Sequence, residues 1–179
     1  MKNFEPRAKN RRVFVMVLLM VLAAVIFEHF GWKRTENGPL LVVDEKAFDA
    51  LGELSEQWNT WSSSCDQVVQ LGPEDSVFKV AEENIKAYSP PQSRGAHVAS
   101  AVRLGDWVLV EVEFAALLPA VVLLKRTDQT ISIVPEAVWS GYTSPWKAAP
   151  FIRAYISSKA PGMPHELINC FKPQSVSFK

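Results

Sequence analysis

His97 and Glu113 are the two residues of this chain whose types and spacing come nearest to chemistry. Each lies in a run that alternates apolar and polar residues, 96–103 and 107–114, and Leu104-Gly105-Asp106 between them reads as a three-residue hairpin loop. That register sets Val98 opposite Val112, Ser100 opposite Val110 and Val102 opposite Val108, and brings His97 across from Glu113 on the other face. An imidazole oriented by a carboxylate can move protons, the core of an acid–base hydrolase. The commoner role of such a pair is a cross-strand surface contact, and Glu111 with Glu113 reads as alternating charge on a solvated face. Cys65 is no better a nucleophile, because no base is placed beside it. The three histidines, at 29, 97 and 165, show no ligand spacing with either cysteine, and no glycine-rich phosphate loop, G-x-S-x-G or H-E-x-x-H occurs. No metal, no cofactor and no enzymatic activity are expected.

Cys65 and Cys170 are the only cysteines, an even count well separated along the chain. In an oxidising compartment they are expected to pair, and closing a loop of about 100 residues stabilises by roughly 4–5 kcal/mol in the chain-entropy model.

That compartment follows from the N-terminus. Val13 to Phe27 carries no charge, proline or glycine and no amphipathic stripe, so it must be covered on every side. Fifteen residues are short for a hydrocarbon core that wants about 20. Phe30 and Trp32, aromatic residues suited to the interface, are expected to lengthen the span to residues 13–32. Ala23 and Ala24 lie inside the run and no small pair follows it, so an uncleaved signal anchor is expected. Five basic residues and Glu5 precede the run, leaving fourteen basic against eighteen acidic residues after position 12. The positive-inside rule then puts residues 1–12 in the cytoplasm of a bacterial inner-membrane protein and the remainder in the periplasm. An acidic body excludes nucleic acid as a partner.

Residues 33–43 read as a spacer, and 44–171 as one α+β domain ahead of a tail at 172–179. Asp44 can cap a helix whose stripe is Ala47, Leu51, Leu54, Trp58 and Trp61, expected to pack on its own domain. A second helix opens at Pro73, with Glu74 and Asp75 in its first turn and Val77, Ala81, Ile85 and Tyr88 on its buried face. The hairpin follows, then a third strand at 121–125 and a fourth at 131–134 ended by Pro135, making a four-stranded antiparallel meander with helices on one side. Val121-Val122-Leu123-Leu124 is apolar on both faces and reads as central. Beyond it an aromatic turn carries Trp139, Tyr142 and Trp146, and Arg153 follows on a helix expected from Pro145 or Pro150. These four are the candidate binding surface.

The layout, helices and then a meander behind one anchor, looks like the periplasmic domains of secretion and conjugation scaffold subunits, some of which are nuclear-transport-factor-2-like cones. The likeness is architectural. It implies a bitopic membrane protein bound to the bilayer through Val13–Phe27, whose domain joins a protein partner or a second copy. The alternative is a ligand-binding domain for a lipid or cell-wall fragment. An open apolar cavity would favour the ligand, and a filled core the scaffold.

Overall fold

The computed structural model describes residues 7–88, 90–128 and 130–178, the side chains of 7–12, 26, 27 and 177 excepted. The chain forms two compact units, residues 1–51 and 52–179. Among the described residues the fold is α+β, with five α-helices and two antiparallel sheets of three and five strands.

In the first unit, α1 (Arg7–His29) runs into β1 (Phe30–Thr35), β2 (Gly38–Val43) and β3 (Lys46–Phe48), which pair in sequence order. The expected spacer at 33–43 is therefore a hairpin. Leu40-Leu41-Val42-Val43 is a four-residue β-prone run between turn residues, and Leu41 pairs with Trp32. Asp44 caps no helix: it and Glu45 have φ of 46° and 67°, as the two-residue turn between β2 and β3 demands. The Asp44 carboxylate instead lies 2.6 Å from His29 Nδ1.

The expected span to residue 32 is also corrected. Phe30 and Trp32 lie on β1 and cannot lengthen α1. Among the described residues no helix is long and apolar enough to cross a membrane. The apolar side chains described in α1, residues 13–25, cover only about 20 Å at 1.5 Å per residue. Residues 1–6 of the expected cytoplasmic tail lie outside the described residues.

The second unit is built on a five-stranded sheet, β4 (Val69–Gln70), β5 (His97–Leu104), β6 (Trp107–Glu113), β7 (Ala120–Thr127) and β8 (Thr130–Ser140), in that spatial order. β4 is an edge strand added to the expected four. Helices cover both faces of this sheet, contrary to the one-sided expectation. On one face α3 (Ser76–Tyr88) lays Val77, Phe78, Ala81 and Ile85 over Val108, Val110, Val112 and Val122. On the other, α4 (Ala148–Lys159) and α5 (His165–Asn169) bring Ile152, Ile156, Leu167 and Ile168 onto Leu109, Val121 and Leu123. Val121 to Leu124 are buried throughout, so β7, an interior strand between β6 and β8, is covered twice, while the centre of the sheet is β6.

Three local details differ from the sequence reading. The β5–β6 turn has two residues, with Leu104 opposite Trp107 and Gly105 at φ 59°, the sign a type II′ turn needs at its first position. A bulge between Val98 and Ser100 absorbs the difference, so His97 still meets Glu113 while Ser100 meets Glu111. Pro135 does not end β8. The register jumps between Leu124–Ile133 and Val122–Val138, so Pro135 sits in a bulge where no ladder N–H is missed.

α3 begins at Ser76 rather than Pro73, because Asp75 is its cap: its Oδ1 accepts the Val77 N–H at 2.7 Å. Asp75→Ala is expected to cost about 1 kcal/mol, read as a lower urea midpoint at unchanged slope.

Candidate functional site

α2 (Ala50–Ser62) is amphipathic, as its spacing predicts, but it lies the other way up. Its polar side holds it to the domain. Glu53 Oε2 stands 2.9 Å from Lys147 Nζ, the Arg153 guanidinium bonds both oxygens of Glu56, and Asn59 Nδ2 donates to the Asn169 carbonyl at 2.6 Å. The apolar side faces out, with Leu54 at 60%, Trp58 at 66% and Trp61 at 78% exposure. The two indoles meet with ring centroids 5.2 Å apart. The expectation that this stripe packs on its own domain is overturned. The charged residues at 53 and 56 found partners on α4 and just before it, and the stripe was left over.

The helix is pinned at its far end by the Cys65–Cys170 disulfide, with Cα atoms 5.7 Å apart. Beneath it runs an open groove of about 670 Å³, bounded by Glu53, Glu56 and Trp61 on one wall and by Lys147, Lys172 and Phe178 on the other.

The aromatic turn is distributed over several environments. Trp139 is a β8 residue opposite Val121, with its ring edge-on to Phe178 at 5.3 Å. Arg153 is engaged by Glu56, its side chain only 13% exposed. Trp146 is half-buried, and its Nε1 is buried without a hydrogen-bond partner among the described residues. Tyr142 alone of the four is open to solvent, at 65% exposure. Trp139 lies on a strand rather than in the expected turn because β8 runs on past Pro135.

His97 and Glu113 are register partners, the histidine exposed and the glutamate half-buried. The carboxylate that matters more is Glu111, wholly buried where a solvated face was expected. It accepts the backbone N–H groups of Gln174 and Ser175, each at 2.7 Å, and the Ser100 hydroxyl at 3.1 Å. The bulge near Ala99 sets Ser100 opposite it, and the C-terminal tail covers both. A buried charge fully engaged by fixed donors is a structural knot rather than a free base.

At the β8 bulge, Lys159 donates to Glu136 at 3.0 Å. That hydrogen bond, and then the carboxylate's charge, raise the Lys159 pKa above its ordinary value. Among the described residues no group of three His, Cys, Asp or Glu side chains is placed to hold a metal ion.

On the α3 face the core is incomplete. A cavity of about 350 Å³ opens between the end of α3 and the sheet, walled by Ile85, Phe114, Val122, Ile133 and Val138. Comparison with protein-family models, curated sequences and solved structures returns no match, so function rests on this geometry alone.

Proposed function

We propose that this is a membrane-anchored interaction protein, whose periplasmic domain presents the outer face of α2 to a protein partner in a membrane assembly. The outward stripe of Leu54, Trp58 and Trp61 carries the proposal. Large aromatic side chains are the commonest anchors of protein interfaces, and a helix docked by its polar side leaves its apolar side for another molecule. The helix has no lysine or arginine and carries Glu53 and Glu56. Helices that lie on anionic bilayers are rich in basic residues, so a protein surface suits this stripe better than a lipid one.

The anchor is supported by α1. Its apolar side chains from Val13 to Leu22 are 45–68% exposed around the whole helix, and such a helix needs an apolar solvent. The full helix of 23 residues spans about 35 Å, and basic side chains near a helix end reach the interface by snorkelling. A short apolar run then costs only fractions of a kcal/mol per Å of mismatch. The disulfide and the basic flank support a periplasmic setting for the domain.

The test is a photoreactive amino acid at position 55 or 62, beside the stripe, in the intact chain in cells. Discrete protein adducts are expected. Trp58→Ser with Trp61→Ser should weaken them about thirtyfold, the effect of losing roughly 2 kcal/mol of hot-spot contact. Adducts that survive both substitutions, or labelling of lipid alone, would remove α2 as the partner surface. The apolar cavity favours the second expectation, a bound ligand.

A further inference from the structure

We propose that the cavity between α3 and the sheet holds a single hydrocarbon chain, with any polar head left outside. Its walls are Ile85, Val122, Ile133 and Val138, with Phe114 near the entrance. Two serines reach the lining, and both hydroxyls are satisfied internally. Ser93 donates to the Lys86 carbonyl at 2.8 Å, and Ser140 to the Pro119 carbonyl at 3.0 Å. Water gains nothing in such a space, since it needs two or more polar partners. A sugar or peptide would lose its hydration without replacement, which sets aside a cell-wall fragment.

The volume of about 350 Å³ lies at the lower end of ligand pockets, which run from roughly 300 to 1,000 Å³. That suits one chain rather than a whole lipid. The mouth has the same chemistry as the walls. Leu117 and Leu118, 43% and 48% exposed, project from the β6–β7 loop, and Tyr88, 59% exposed, closes the end of α3. Exposed leucines at the lip of an apolar cavity let a chain pass from lipid to protein with little contact with water. The proposal rests on the anchored reading only for its source of chains.

The experiment uses the full chain reconstituted in phospholipid vesicles, with two photoreactive probes in separate arms. One is a diazirine-bearing dodecanoic acid; the other is a phosphatidylethanolamine carrying the diazirine on its acyl chain. Peptide mapping should find adducts within 114–122 and 131–138, competed away by excess dodecanoate. Val138→Phe, which takes up room for about two methylenes, should cut cavity labelling about tenfold or more. Leu117→Ser with Leu118→Ser, changes at exposed positions that leave the core intact, should slow labelling in the same direction. Adducts from the free acid alone would assign the ligand as a fatty acid; adducts from the phospholipid would assign a chain drawn from the bilayer. Labelling confined to residues 13–27 would overturn the cavity and leave the anchor standing. Cavity adducts with none at 13–27 would do the reverse. No cavity adducts, or adducts that dodecanoate does not displace, would end the proposal.

Discussion

Cys65→Ser is expected to destabilise the domain by about 4 kcal/mol, the largest effect of any single substitution outside the core. The bond joins residues 105 apart, so it removes a long loop's worth of freedom from the unfolded chain. Its effect in the folded state is concentrated on one element. Among the described residues, α2 is held to the domain chiefly by the Glu53–Lys147 and Glu56–Arg153 pairs and the Asn59–Asn169 hydrogen bond. The half-exposed Glu53–Lys147 pair contributes only about 0–1 kcal/mol, and the bidentate, largely buried Glu56–Arg153 pair carries most of the polar attachment. Without the disulfide, α2 is expected to open locally well before the sheet does. Urea unfolding of the serine variant gives the global loss, and amide exchange over 50–62 gives the local one. A loss below about 1 kcal/mol with α2 amides still protected would show that the polar contacts suffice. Because α2 also carries the proposed partner surface, reduction should weaken partner adducts even where the fold survives.

The sequence and the structure agree where one interaction decides the outcome. Val121 to Leu124 has no polar residue for water, so a doubly covered strand is the only arrangement that suits it, and β7 is that strand. The pairing of His97 with Glu113 and of Val98 with Val112 is also legible, because the polar residues His97, Glu111 and Glu113 mark one face of each strand where the two runs meet. Beyond Val98 the register depended on a bulge, which is set by sheet twist and the tail's packing and leaves no mark in the alternation. The same limit hid the continuation of β8 past Pro135. The orientation of α2 was hidden for a different reason. A stripe at helical spacing says that one side is apolar, but not whether that side meets its own domain. Glu53 and Glu56 decided it through Lys147 and Arg153, nearly a hundred residues away. The β1–β3 sheet has a local signature in the sequence, since Leu40 to Val43 is a strand-like run between turn residues.

Glu111→Gln is expected to cost about 3 kcal/mol and to free the C-terminal tail, although it changes the side chain's volume hardly at all. Both carboxylate oxygens are in use. Oε1 accepts from Ser175 N, and Oε2 accepts from Gln174 N and the Ser100 hydroxyl. An amide has one acceptor oxygen, so the NH₂ of a wholly buried side chain must face a backbone N–H. Two donors opposed in a buried place are worse than one donor left alone, and the tail can relieve them only by moving away. Its departure uncovers Phe178, which packs on Trp139, so a change in indole emission should accompany the loss. Limited proteolysis should then cut within 172–178, while the Cys65–Cys170 bond and the sheet remain. Glu111→Ala should cost at least as much, since it leaves two orphaned N–H groups and a void. If the glutamine variant instead unfolds within about 0.5 kcal/mol of the parent and its tail stays protected, the carboxylate is not what holds the tail, and packing of Phe178 must be.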